Sequence, residues 1–236
     1  TEKTTEYGVA DKTGLWNTLA FTDLNSDGIL DIIAGNTGLN HKWTATDSLP
    51  VKMYVGDFDG NGSTEPLIFY YYLSRYMPFA SMMTLTSQLP ILKKKFKTYA
   101  SFNKTQDIGD LLDDYKSKLV EEKTLSELRS MVFVSSGKKY NSFPLGQNEQ
   151  MSDIRDIEIG ADGKIFYVGN SFDYVSELGT SASNPGRILG KFNATTNTFP
   201  PMCSTRTAPC RGTTAARRSS VRSRKAPSGS ITSITR

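Results

Sequence analysis

Two short acidic segments carry the side chains best suited to chemistry. They read Asp23-Leu24-Asn25-Ser26-Asp27-Gly28-Ile29-Leu30-Asp31 and Asp57-Phe58-Asp59-Gly60-Asn61-Gly62-Ser63-Thr64-Glu65. In each, oxygen-bearing side chains fall at positions one, three, five and nine, with a glycine at position six for the sharp turn. This is the pattern of a loop that folds around a hard cation. Calcium takes six to eight oxygen ligands at about 2.3–2.6 Å, so short side chains must converge from alternate positions, joined by a backbone carbonyl at position seven. Ile29 and Ser63 hold that position. The expected ligand sets are Asp23, Asn25, Asp27, Ile29 and Asp31 in the first loop, and Asp57, Asp59, Asn61, Ser63 and Glu65 in the second. The competing account is an Asn/Asp/Gly-rich turn that binds nothing, since these residues favour turns for backbone reasons alone. Two loops with their acids in phase favour Ca2+.

The elements around the loops read as strands. An EF-hand would need flanking helices and a glutamate at position twelve, where this chain has Ala34 and Ile68. Instead Leu19-Ala20-Phe21 leads in and 30–35 leads out, while Met53-Tyr54-Val55 and 67–72 bracket the second loop, all rich in β-branched and aromatic residues. Both loops are therefore expected in β-hairpins. A third strand–turn–strand rhythm runs from 154 to 170, and Val168-Gly169-Asn170 echoes Ala34-Gly35-Asn36. Its turn, read as 156–163, lacks oxygen ligands in register, so no calcium is assigned there.

Residues 23–40, followed by 57–63, resemble the FG-GAP/VCBS-repeat proteins. More narrowly, they resemble the large secreted or surface VCBS-repeat proteins of Bacteroidetes-type bacteria, some of which carry the ASPIC/UnbV label. The resemblance covers roughly residues 7–199 and is strongest over 16–72. It implies a β-propeller of the integrin-α N-terminal type, with calcium held in acidic loops between strands of a blade.

The fold expectation is a mainly β chain forming a partial β-propeller, interrupted by helices and ending in a disordered basic tail. Two calcium-loop blades fall in 1–80, a helical insertion in 81–128, further blade structure with a degenerate loop in 129–200, and the tail in 201–236. Within the insertion, Leu85, Leu89, Leu92, Phe96 and Tyr99 recur at helical spacing, with Pro90 interrupting or starting the helix. Ile108, Leu111, Leu112, Tyr115 and Leu119 mark a second apolar face, with Asp107 and Asp110 early, where the helix dipole favours acids.

Charge is divided between body and tail. All 24 acidic residues precede Pro201, while eight of the 28 Lys and Arg lie from there onward, leaving the body at −4 and the tail at +8. The tail has no Asp, Glu, Leu or aromatic residue and cannot bury enough apolar area to offset the entropy of ordering. The abrupt change after Phe199 favours a reading-frame error or fusion scar over a native arginine-rich arm on phosphate backbones. Cys203 and Cys210, both in the tail, match no close-paired zinc spacing.

Several other features have bland readings. Lys93-Lys94-Lys95 and Lys97 read as a solvated helix face, so a nucleic-acid partner is not expected. Alternation in the run Phe69-Tyr70-Tyr71-Tyr72 places its members in a sheet core in preference to a sugar-stacking platform. His41, the only histidine, lies in what reads as a surface turn, 40–43, with no nucleophile signature nearby. No catalytic site is assigned.

The chain starts at Thr1 without methionine and holds no signal-like or membrane-spanning run, which suggests a processed or truncated piece of a larger protein. The expected role is a binding or adhesion module for a protein or glycan ligand in an extracytoplasmic, secreted or surface setting. The alternatives are a scaffold within a polysaccharide-processing enzyme, or nucleic-acid binding through the tail.

Overall fold

The computed structural model describes residues 3–175 and 179–200. The anticipated disordered tail, 201–236, lies outside the described residues. The chain is mainly β, with several antiparallel sheets and short helices. In chain order the elements are α1 (Thr4–Tyr7), β1 (Thr18–Thr22), β2 (Asp31–Gly35), β3 (Val51–Gly56), β4 (Glu65–Tyr72) and β5 (Arg75–Pro78). Five short helices follow: α2 (Met82–Gln88), α3 (Leu92–Lys95), α4 (Tyr99–Phe102), α5 (Ile108–Leu111) and α6 (Tyr115–Lys118). Then come β6 (Leu119–Leu125), β7 (Met131–Ser136), β8 (Lys139–Pro144), β9 (Ile154–Ile159), β10 (Ile165–Gly169), β11 (Ser171–Val175), β12 (Gly179–Ser181) and β13 (Gly186–Leu189).

Two four-stranded sheets are interleaved along the chain. The first has the order β1-β2-β7-β8, and the second, β5-β4-β3-β6, is built wholly from sequence lying between β2 and β7. The sheets therefore run across the expected segment boundaries: β7 and β8 complete the sheet that β1 and β2 begin. A three-stranded sheet, β13-β10-β9, and a two-stranded sheet, β11-β12, make up the remainder of the described strands.

Alternation explains which side chains enter the core. Ala20, Ile33, Val132 and Val134 of the first sheet meet Ile154, Ile157, Ile165, Tyr167 and Leu189 of the three-stranded sheet. Close backbone approach requires glycine at both strand ends. Between the sheets a Cβ on Gly35 would sit 2.7 Å from the Ile154 side chain, and within the three-stranded sheet one on Gly169 would sit 2.5 Å from the Asp153 carbonyl oxygen. The repeated Gly-Asn ending thus has a packing cause, and Asn36 adds hydrogen bonds from its side-chain N–H2 to the Glu127 and Arg129 carbonyls.

The helical region departs from a regular amphipathic helix. Pro90 lacks an N–H and restricts Leu89, which sits at φ −120°, ψ 86°, so α2 stops at Gln88 and α3 restarts at Leu92. Ser81, Thr98 and Asp107 cap the N-termini of α2, α4 and α5 through their side-chain oxygens. The anticipated apolar residues nevertheless share one core, in which Leu85, Leu89, Leu92, Phe96, Ile108 and Leu111 pack on Tyr54, Leu67 and Phe69 of the second sheet. Tyr99 is the exception and is exposed.

Helix also ends earlier than the expected 81–128. Leu119 opens β6, which pairs with β3 in the register Val51↔Leu125 to Gly56↔Leu119. The Glu-Glu-Lys run there has good helix propensity, but pairing to an open sheet edge overrides it. Of the aromatic run, Phe69 faces the helices, while Tyr70 is buried near Phe79, Tyr71 is half-buried and Tyr72 is exposed. No described helix is long and apolar enough to cross a membrane.

Candidate metal centre

Each acidic loop joins two adjacent antiparallel strands. The first bridges the Thr22↔Asp31 pair of β1 and β2, and the second bridges the Gly56↔Glu65 pair of β3 and β4. Their backbones match position by position. Position four has positive φ in both, Ser26 at 65° and Gly60 at 78°, and so does position six, Gly28 at 83° and Gly62 at 87°.

The hydrogen bonds match as well. The position-one carboxylate accepts three backbone N–H groups: Asp23 from Ser26, Asp27 and Gly28 at 2.7, 3.1 and 2.8 Å, and Asp57 from Gly60, Asn61 and Gly62 at 2.8, 3.0 and 2.9 Å. The position-three oxygen accepts from the N–H of position five, and the position-five oxygen accepts from that of position seven. At position nine, Asp31 accepts from Leu24 N–H at 2.8 Å and Glu65 from Phe58 N–H at 3.0 Å. This network turns side-chain oxygens inward and supplies N–H partners that offset repulsion among the acids.

The loops differ in readiness for a cation. Oxygens of Asp57, Asp59 and Glu65 lie within 4.8 Å of one another, the only such acidic group among the described residues. Two oxygens bound to one calcium at about 2.4 Å stand at most about 5 Å apart, so this spacing fits a single ion. Each carboxylate oxygen has two lone pairs; Asp57 Oδ1 spends both on the Gly60 and Asn61 N–H groups, whereas Asp57 Oδ2, Asp59 Oδ1 and Glu65 Oε2, each accepting one, keep one for a metal. The all-oxygen donor set suits a hard cation.

In the first loop other donors engage the acids. Asp27 Oδ2 accepts from Asn25 Nδ2 at 2.9 Å and from Ser135 Oγ at 3.2 Å, and Asp31, fully buried, accepts from Ser135 N–H at 2.7 Å. The Asn25 contact, then the Ile29 N–H, hold the Asp27 carboxyl below the usual carboxylate range, with burial opposing weakly and Ser135 adding. Asp27 Oδ2 thus has both lone pairs engaged, and the Asn25 amide must release it before that oxygen can serve a cation.

Of the ten expected positions the structure brings the acids Asp57, Asp59 and Glu65 together, with Asp31 and Glu65 standing as the first residues of β2 and β4, and sequence spacing missed the residues that anchor the loops. Phe58, at position two, is 1% exposed and sits in the sheet–helix core, and Lys118 Nζ donates to its carbonyl at 2.9 Å. Ser135 ties the first loop to β7. Phe58 could have been found from its apolar character within a polar loop; Ser135 and Lys118 carry no local signal.

The third turn is shorter than expected. Asp156 and Glu158 belong to β9, leaving five residues, 160–164, between Ile159 and Ile165. Its one acid, Asp162, ion-pairs with Lys164. Residues 40–43 are also not an open turn. Trp43 packs edge-on to Phe79 at 5.3 Å, and His41 is half-buried, its pKa lowered by burial and raised in part by the Gly38 backbone. Lys95 of the lysine run pairs with exposed Asp113 at 2.7 Å. No protein-family model, curated protein or solved structure matches this chain.

Proposed function

We propose that the chain is a calcium-stabilised binding module of the β-propeller type, acting in a secreted or cell-surface setting on a protein or glycan ligand. The observation that carries this reading is the shared hydrogen-bond network of the two loops, with the converging carboxylates of Asp57, Asp59 and Glu65. Calcium would be held by Asp57, Asp59, Asn61, Ser63 and Glu65, and by Asp23, Asn25, Asp27, Ile29 and Asp31 once the Asn25 amide releases Asp27 Oδ2. Its chemistry there is to neutralise acids that otherwise repel one another, fixing each hairpin. The four-stranded antiparallel sheet β1-β2-β7-β8, packed face to face on a second sheet, supports the blade reading.

Calcium titration calorimetry on the full chain, paired with thermal melts in calcium and in chelator, tests the proposal. One tight site at the second loop and a weaker one at the first, with a melting temperature that rises on binding, is the expected result. No heat of binding and superimposable melts would reduce both loops to turns.

A further inference from the structure

At the opposite end of these sheets from the acidic loops lies a groove of about 490 Å³. The strand registers fix its place. The loops close the Thr22↔Asp31 and Gly56↔Glu65 ends, whereas residues 36–50 leave the Gly35 end of β2 for the Val51 end of β3, and residues 126–130 run from Leu125, opposite Val51, to Met131, opposite Ala34. The groove is lined by these two connections and Lys12, where the chain passes between the two four-stranded sheets. Its volume falls in the range of small-molecule sites, about 300–1,000 Å³.

The charges in the groove cancel. Glu127, 4% exposed, takes a two-point contact from Arg129, Nε to Oε1 at 2.8 Å and Nη2 to Oε2 at 2.6 Å. Lys12 Nζ stands 3.7 Å from Asp47 across the groove mouth and 3.1 Å from Asp11, just outside it. Among the lining residues two cations face two carboxylates, and both cations are paired, which leaves little field to draw in an anionic ligand. Arg129 retains N–H donors beyond the two spent on Glu127, and its side chain is part-exposed. Trp43 and Leu39 supply apolar surface beside these polar groups.

One wall also holds a donor without an acceptor. Trp43 Nε1 is buried and has no hydrogen-bond partner. An indole nitrogen always carries its proton, and a buried donor of this kind is rare. Trp43 lies on a segment that forms neither helix nor strand.

We propose that this groove binds a neutral saccharide. Trp43 and Leu39 meet the C–H face of a sugar ring, the Glu127–Arg129 pair engages its hydroxyls, and a small movement of residues 39–47 brings a ligand oxygen onto the Trp43 N–H group. The inference rests on the binding-module reading and selects glycan over protein as ligand; it does not require metal in the loops.

The test is ligand-observed NMR on the full chain with maltose, cellobiose, lactose and diacetylchitobiose as neutral probes, digalacturonate and glucosamine as charged ones. Trp43→Phe keeps an aromatic ring against Phe79 and deletes the unpartnered N–H, so it should leave the melting temperature unchanged or raised while weakening saccharide binding about fivefold or more. Arg129→Ala should weaken it further. Binding by charged probes alone, no binding by any neutral probe, or equal binding by wild type and Trp43→Phe would overturn the proposal. Running each titration in calcium and in chelator separates the two ideas. A calcium-dependent melt with no saccharide signal defeats the groove alone, and saccharide binding without any calcium response defeats the metal reading alone.

Discussion

Replacing Asp59 by alanine separates metal binding from turn chemistry more cleanly than any other change. In the metal-free loop Asp59 makes one described hydrogen bond, accepting from Asn61 N–H at 3.1 Å at an exposed site, so its loss costs about 0.5 kcal/mol. Calcium at 100 times its dissociation constant stabilises the native state by about 2.7 kcal/mol. Removing one of three acids from the cage should weaken affinity ~100-fold, because ligand charge count sets calcium affinity. The same calcium concentration then stabilises the variant by roughly 0.4 kcal/mol. For a chain of this size 1 kcal/mol shifts the melting temperature by about 2–4 °C. Asp59→Ala should therefore melt about 1–2 °C below wild type in chelator and roughly 6–11 °C below it in calcium. Calorimetric scans at fixed calcium and in excess chelator measure both differences. Equal deficits in the two conditions would refute the cage and leave Asp59 as a turn residue.

Phe58→Ala behaves differently, because the ring is core and not ligand. It should cost about 3–5 kcal/mol in denaturant unfolding, by the same amount with calcium and with chelator. Ser26 and Gly28 both need positive φ, and no heavy atom lies near a Cβ on Gly28. Ser26→Gly should therefore stabilise by about 0.5–1 kcal/mol in urea melts, and Gly28→Ala should destabilise by about 1 kcal/mol. Burial pushes the Glu127 carboxyl up, but the Arg129 side chain and N–H, aided by Lys12, outweigh it and hold it below the usual glutamate value. A depressed folded pKa gives stability that is complete above the unfolded value, about 4.3, and lost as pH falls through the folded one. Glu127→Gln should thus flatten the decline of stability below about pH 4.3, as followed by urea midpoints between pH 3 and 7. Asp27→Ala should lower the melting temperature even in chelator, because that carboxylate also accepts from Ser135 of β7; an effect confined to calcium would refute the Ser135 link.

The hairpins and the shared turn geometry of the two acidic loops were legible because both signals are local. Alternation gives the strands, and oxygen side chains at fixed offsets with position-six glycines give the turns. The sheet order was not legible, since nothing near Val132 indicates that Ile33 is its partner rather than a strand of the following hairpin. The same limit explains β6. Leu119-Val-Glu-Glu-Lys reads as helix by propensity, and only the open edge of β3, many residues earlier, makes it a strand. The helical region was legible as a set of apolar residues but not as a shape, because Pro90 and the three capped starts divide a face that periodicity draws as continuous.

The anchors that sequence reading missed suggest why the loops lie where they do. Each loop is bonded to the stretch of chain that completes its own sheet after a long excursion. Asp31 accepts from Ser135 N–H, 104 residues away, in the strand that closes β1-β2-β7-β8. The Phe58 carbonyl accepts from Lys118, 60 residues away, immediately before β6 joins β3, and Gly56 leaves room there, since a Cβ would lie 2.3 Å from the Lys118 carbonyl oxygen. Closing such long loops carries an entropic cost that local contacts do not offset. Residues 1–200 contain no cysteine and so no disulfide of their own to hold these closures. A loop that is rigid only when its acids are neutralised would give each sheet a closure point whose strength follows calcium. On that account, chelation should first loosen amide protection at Ser135 and at Leu119 in hydrogen exchange, ahead of the Leu85–Leu111 core, and uniform loosening would refute the link.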